Sequence, residues 1–230
     1  MKLKLQRTKL NRDFPLSEQI YVLLRKLIVT GQIQPGQTFD EKAFAIKLGT
    51  SRTPVREAIK KLTDENLVIV AAQSGTRAAK IDLKEVEQAF IIRRALEMES
   101  VACAACKIRQ VDIAALREIL AAHALAIKAK NYAEAIAHDD HFHARIAEIS
   151  KMPRLWRTIE ISKAHLDRCR HMMLPRPGEA AATLQQHKAI ILALRSKDPN
   201  KARAAMAQHL EKAYSNTRQV LETETAASSA

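Results

Sequence analysis

The stretch Asp40-Glu41-Lys42-Ala43-Phe44-Ala45-Ile46-Lys47-Leu48-Gly49-Thr50-Ser51-Arg52-Thr53-Pro54-Val55-Arg56-Glu57-Ala58-Ile59 decides the fold of the first third of the chain. Asp40 can accept a backbone N–H at the start of a short helix carrying Ala43, Phe44 and Leu48, which Gly49 ends. Thr53-Pro54 opens a further helix, with Thr53 as N-cap and Pro54 at the first helical position, where its missing N–H costs nothing. The apolar face of that helix is Val55, Ala58, Ile59 and Leu62. Working outward, a helical period begins after Pro15 with Ile20, Leu23, Leu24, Leu27 and Ile28 on one face. It stops at Gly31, and Gln34-Pro35-Gly36 makes a turn. Beyond Asn66 the pattern changes to the β-branched run Leu67-Val68-Ile69-Val70, with Thr76 to Ile81 as a partner strand and Gln73-Ser74-Gly75 between them as a hairpin turn. Three short helices followed by a small hairpin read as a winged helix-turn-helix.

In a helix-turn-helix the second helix enters the major groove by its N-terminal end. Here that end carries Arg52, Thr53 and Arg56. Arginine forks bond guanine O6 and N7, while Ser51, Thr53 and the backbone amides at the helix start can hold phosphate. Gly75 at the hairpin tip lets the wing approach a backbone or minor groove. The competing reading is a surface helix with a solvated basic edge; the order of three helices and a hairpin around the segment argues against it. Charge points the same way. Of the formal net +13, residues 1–78 hold 14 Lys/Arg against 7 Asp/Glu, and the remaining residues, about twice as many, hold 24 against 18. A concentrated positive field attracts polyanions, double-stranded DNA first.

From Asp82 onwards no further strand is expected. Helical stretches run over 82–106, 111–129, 131–150, 153–173, 180–196 and 198–222, broken near Gln110, Asn131, Met152-Pro153, Pro175 to Gly178 and Asp198-Pro199. Long helices with short connections read as an antiparallel bundle. Only nine residues are aromatic, so the packing falls to Leu, Ile, Val and Ala. The expected fold class is mainly α, divided into a basic arm over 1–13, a winged helix-turn-helix over 14–81, an all-helical effector-binding and dimerisation domain over 82–222, and a disordered tail over 223–230.

A second constellation is Asp139, His143, His187 and His209. Asp139 and His143 are four apart and so share one helix face. His187 and His209 lie on two later helices, each able to turn toward the same core. One carboxylate and three imidazoles suit a divalent transition metal such as Zn, Ni or Mn, with positions left for water or a ligand. Spacing alone does not single out the pair, since His138 and His141 stand close by.

The run from Asp40 through Ala58 resembles the signature of the GntR family of bacterial repressors, and the likeness extends over about residues 14–80. The resemblance implies DNA contacts from Arg52, Thr53 and Arg56, with Lys42 where the family often has a second-helix arginine. The wing departs from the family: many members carry Arg-Gly where this chain has Ser74-Gly75, leaving Arg77 as the nearby substitute. Over about residues 82–215 the chain resembles the FCD ligand domain of the FadR-type branch, through Arg93-Arg94-Ala95-Leu96-Glu97, Asp139-Asp140-His141-Phe142-His143, His187 and His209-Leu210-Glu211. In that family the matching Asp and three His bind a metal, beside which a small carboxylate effector sits. The resemblance makes Arg93 the candidate partner of the effector carboxylate, a guanidinium binding carboxylate bidentately; a salt-bridging or surface arginine is the alternative. Another departure is Ser150-Lys151-Met152, where many members have Ser-Gly-Asn.

Cys103 and Cys106 form a Cys-x-x-Cys in an Ala-rich helix, read as small buried packing residues, and Leu155 and Trp156 are read as core. Three cysteines, no signal-peptide pattern and no membrane-length apolar run give the expectation of a cytoplasmic protein without a membrane partner. The expected function is a transcriptional regulator: a homodimer on a palindromic operator, controlled by a small organic acid bound beside the metal. A metal-dependent enzyme of the helical bundle and an effector-independent architectural DNA-binding protein are the two alternatives.

Overall fold

A computed structural model describes residues 10–71, 75–176 and 178–227. The chain divides into two compact units at Asp82/Leu83.

The first unit comprises α1 (Leu16–Val29), β1 (Thr38–Phe39), α2 (Glu41–Leu48), α3 (Arg52–Asp64), β2 (Val68–Ala71) and β3 (Gly75–Ala78). Its core joins Ile20, Leu24 and Ile28 of α1 to Val55, Ala58, Ile59 and Leu62 of α3, closed by Ile33, Leu67 and Ala78. Asp40 caps α2 as expected, its carboxylate accepting the Lys42 N–H at 2.7 Å, and Gly49 ends the helix in the left-handed region at φ +63°. The next helix corrects the sequence reading. It starts at Arg52 with Ser51, in extended backbone, as N-cap, so Thr53 and Pro54 are its second and third residues. Pro54 is tolerated there because the first turn's amides have no intrahelical acceptor. Ala43, placed by its spacing on the apolar face of α2, is exposed. The hairpin gains a third member: β1 pairs antiparallel with β3 on the side away from β2, with Phe39 opposite Thr76 and Val70 opposite Thr76 on the other edge. β3 ends at Ala78 rather than Ile81.

The second unit is helical throughout: α4 (Leu83–Lys107), α5 (Gln110–Lys128), α6 (Tyr132–Ile149), α7 (Pro153–Ser162), α8 (Ala164–Met173), α9 (Glu179–Arg195) and α10 (Pro199–Ala227). α4 lies along α10, α5 packs on α6 and α9, and α9 on α10. Between them Val101, Leu116, Phe142, Ile146, Ile190, Leu194 and Met206 form the buried core. Asn131 caps α6, accepting the Glu134 N–H.

Several expectations in this unit fail. The helix expected over 153–173 is two, broken at Lys163, where no Gly or Pro marks the sequence. The break takes the Lys163 side chain into the protein, where its ammonium donates to Asp140 at 2.8 Å and Asp167 at 2.5 Å. The tail expected to be disordered from 223 is helical through Ala227, in keeping with its Glu and Ala content; 228–230 lie outside the described residues. Most of the basic arm (1–9) and the turn residues Gln73 and Ser74 lie outside them too. Nor are the cysteines buried as a pair: Cys103 is half-buried with its thiol on Glu99, Cys106 is exposed, and only Cys169 is buried. Leu155 and Trp156 are half-buried. At the Ser150-Lys151-Met152 departure, Lys151 occupies the left-handed region at φ +65°. No helix of the described residues is long and apolar enough to cross a membrane.

Removing the Lys163 ammonium leaves Asp140 and Asp167 short of a counter-charge in a poorly solvated place. Lys163→Ala is therefore expected to destabilise the helical unit by about 3 kcal/mol in chemical denaturation. A loss below about 1 kcal/mol would mean that Arg170 alone satisfies both carboxylates.

Candidate functional site

The four donors expected from the sequence converge. Asp139 and His143 come from α6, His187 from α9 and His209 from α10, all four buried, and one ligand atom from each falls within 4.8 Å of the others. His187 Nε2 is 3.4 Å from Asp139 Oδ1, and His143 Nε2 is 3.8 Å from Asp139 Oδ2. His209 Nε2 and His143 Nε2 face one another at 3.3 Å.

What surrounds these rings fixes their protons. His143 Nδ1 is bonded to the Glu97 carboxylate, which also accepts from Arg93 Nε at 2.6 Å. Burial pushes the Glu97 carboxyl up, but the facing His143 and Arg93 outweigh it and hold it at about 2, so it is an acceptor only. His209 Nδ1 lies 2.9 Å from Gln186 Oε1, also an acceptor. Both Nδ1 atoms therefore carry hydrogen, and the two Nε2 atoms face each other within hydrogen-bond distance, where a proton or a cation can lie between them. A proton shared between them would make one ring cationic. Burial and the neighbouring His187 and His143 oppose that strongly at His209, whose pKa lies well below the ordinary imidazole value. Burial likewise pushes His187 down to about 3, and neither of its ring nitrogens has a hydrogen-bond partner. Asp139 is driven up by burial but held far below its usual range by Arg170 first, then by His187 and His143. A deprotonated Asp139, with His187 and His209 held neutral and a third imidazole nitrogen from His143 turned to the same point, is what a divalent transition metal needs. The donor set fits such an ion.

Arg170 was missed by the sequence reading. From α8 it bonds Asp139 through Nη2, and Asp140 and Asp167 through Nη1 at 2.8 and 3.1 Å. Glu97 lies in the quoted Arg93–Glu97 run, but its bond to His143, 46 positions away, has no local signal. Arg93 itself is buried, its Nη2 is unpartnered, and it lines a cavity together with Asp139 and His209. It is thus both a salt-bridging arginine and a group with bonding capacity to spare. His138 and His141, the rival histidines of α6, stand outside the four-donor set.

In the first unit, Arg52, Arg56, Gly75 and Thr76 line one open groove between the start of α3 and the hairpin. Glu41 organises it, one oxygen receiving the Thr76 hydroxyl at 2.9 Å and the other lying 3.2 Å from Arg56 Nε. Arg52 and Thr53 are exposed, and the Ser51 hydroxyl makes no capping bond, leaving it and the first amides of α3 open. Lys42 is exposed on the first turn of α2, outside the groove's lining. Gly75 adopts φ +76°, a conformation that a side chain disfavours.

Residues 16–77 match the model of the gntR family of bacterial regulatory proteins, and residues 88–212 match that of the FCD domain. The chain belongs to the GntR family. Among relatives, it is 34% identical over 213 residues, 93% of each chain, to the HTH-type transcriptional repressor RspR of Escherichia coli. It is 30% identical over 201 residues to an HTH-type transcriptional regulator of Streptomyces ambofaciens, covering 87% of this chain and 84% of that one. Among solved structures, Escherichia coli McbR superposes with a TM-score of 0.77 at 25% identity, over 90% of this chain and 99% of that one. The family and these relatives are transcriptional regulators, not enzymes, and this GntR protein is a transcriptional regulator with an FCD domain.

The neutral state of the buried His187 gives a pH signature in chelator-treated protein. His187 has a folded pKa of about 3, against about 6.5 in an unfolded chain. The folded protein then binds fewer protons than the unfolded one between these values. The contribution is complete above about pH 6.5 and is lost as the pH falls toward 3. Thermal melts should begin to fall near pH 6.5, above the carboxylate range, and fall less in His187→Phe. Identical slopes in the two proteins between pH 6.5 and 5 would mean that His187 is protonated in the fold.

Proposed function

We propose that this GntR protein is a repressor that binds a palindromic operator as a homodimer and is controlled by a small carboxylate metabolite bound beside a divalent metal. In this reading residues 14–81 read DNA and residues 82–222 bind effector and dimerise. Each protomer sets Arg52 and Arg56 against base edges in a major groove, while Ser51, Thr53, Lys42 and the backbone at Gly75 meet phosphates. Asp139, His143, His187 and His209 hold the metal, with Zn, Ni and Mn all compatible with one carboxylate and three imidazoles. When bound, the ion supplies a fixed positive charge that attracts an effector carboxylate. Arg93, which lines the same cavity and has an unpartnered Nη2, adds a second cationic partner.

The observation that carries this reading is the buried donor cluster, two of whose members, Asp139 and His209, line a cavity that Arg93 also lines. It supports a ligand-controlled regulator over an architectural DNA-binding protein, which has no need of either. The name of the relative RspR supports repression. An exposed apolar stripe on α5 supports dimerisation through the helical unit: Val111, Ala114, Ala121 and Leu125 recur at helical spacing, with Leu192 of α9 exposed as well. The effector acts through different affinities for the operator-competent and incompetent dimers, the only way a ligand can shift such an equilibrium.

The first test is selection of genomic fragments by the purified protein at near-physiological salt. A short palindrome is expected, and Arg52→Ala should weaken its binding by about 1–3 kcal/mol and relax base preference. Diffuse recovery with no motif would contradict operator recognition. In a second test, His187→Ala should lose most of its metal on dialysis and its response to carboxylates, while keeping effector-free operator affinity within about threefold. Full metal content in that variant would remove the assigned site.

A further inference from the structure

The cavity beside the donor cluster is lined by a buried, unpartnered imidazole that neither the cluster nor its supporting bonds use. His123, from the middle of α5, is 1% exposed, lines the same cavity as Arg93, and has no hydrogen-bond partner at either Nδ1 or Nε2. Its ring centroid lies 5.6 Å from that of His187, yet His123 is outside the four-donor set. A buried polar atom without a partner costs stability, so a ring with two such atoms on a residue that lines a cavity is a candidate contact for a ligand atom that enters it. Its tautomer is also open. Glu97 and Gln186 fix the protons of His143 and His209, whereas nothing fixes that of His123. The ring can therefore donate to a carbonyl or accept from a hydroxyl with equal ease.

The rest of the cavity limits what carries that oxygen. Its walls include Ile136, Leu166 and the stacked pair Phe90 and Tyr214, whose ring centroids are 4.2 Å apart. Its volume of about 70 Å³ restricts the occupant to a small molecule of a few heavy atoms. We propose that His123 is the specificity-determining residue of this cavity, hydrogen-bonding a second oxygen, hydroxyl or carbonyl, of a small carboxylate whose remaining atoms are apolar. The proposal rests on the carboxylate-effector reading above. Within that reading, Arg93 and the metal select for a carboxylate, and His123 selects among carboxylates.

The test is titration calorimetry of the metal-replete full chain with butyrate, 2-hydroxybutyrate and 2-oxobutyrate, alongside His123→Phe and His123→Gln. The native protein should bind at least one of the two oxygenated acids tenfold or more tighter than butyrate, the worth of a hydrogen bond otherwise left unmade in a buried site. The ranking of hydroxy and oxo acid then tells which tautomer binds. His123→Phe, a ring without polar atoms, should bind all three alike, keep its full metal content, and melt no lower than the native protein without ligand. His123→Gln should retain part of the preference. Equal affinity of the native protein for the three acids, or an undiminished preference in His123→Phe, overturns the role of His123 and leaves the carboxylate reading standing. If ligand-free His123→Phe and His123→Gln both melt several degrees lower, the ring has partners within the protein and the proposal falls. Binding of none of the three acids would overturn the carboxylate reading, and this proposal with it.

Discussion

Two imidazole nitrogens that face each other inside a protein need a proton or a cation between them. Nε2 of His143 and Nε2 of His209 stand 3.3 Å apart in the helical unit, with their protons held on the far side of each ring by Glu97 and Gln186. Much of the surrounding structure can be understood as making this arrangement tolerable. Arg93 holds Glu97 in place from one turn earlier on the same helix. Arg170 sets a guanidinium against Asp139, so that the carboxylate stays ionised despite its burial. The break at Lys163 starts a new helix, α8, which carries Arg170 and lets Lys163 share the burden of Asp140 and Asp167. Without a cation at the convergence point this assembly is a set of costly buried groups; with one, each group has a purpose.

The polar layer has a companion on the apolar side. Phe142, one residue before His143, is fully buried and stacks on the His187 ring at 4.3 Å between centroids, so the helix that supplies two donors also packs a third. Rings held by packing on one face and by hydrogen bonds at one nitrogen lose little freedom when a ligand arrives, which is the condition for tight binding at a prearranged site. The DNA-binding unit uses the same economy on a smaller scale. One carboxylate, Glu41, ties α2 to Arg56 of α3 and to Thr76 of the hairpin, so the three elements that frame the groove share one anchor.

Much of this was legible in the sequence because it is written in local patterns. Asp40, Gly49 and the apolar spacing of Val55, Ala58, Ile59 and Leu62 carry their own reasons for being where they are, and the helices they imply are there. The four donors were legible one by one as residue types at helical spacing, strengthened by likeness to a family. What stayed hidden depends on the third dimension. The two-residue β1 is too short to show a period, and it exists because β3 offers it an edge. Ser51 displaces Thr53 as the cap because the whole of α3 starts one turn-fraction earlier than its proline suggests. The interruption at Lys163 answers to carboxylates on other turns and another helix. Glu97 and Gln186 act on rings 46 and 23 positions away and Arg170 on the Asp139 carboxylate 31 positions away, and His123 matters for what it does not touch.

The central claim is that a cation occupies the point where Asp139, His143, His187 and His209 converge, and crystals of the protein purified without added metal test it most directly. Diffraction data collected on either side of a transition-metal absorption edge should show a single anomalous peak among the three imidazoles and the carboxylate. The distances to the His nitrogens should then be about 2.0–2.2 Å. Absence of any anomalous signal in protein also reconstituted with Zn, Ni or Mn, with the two Nε2 atoms still facing one another, would show that a proton fills the gap and would contradict the account.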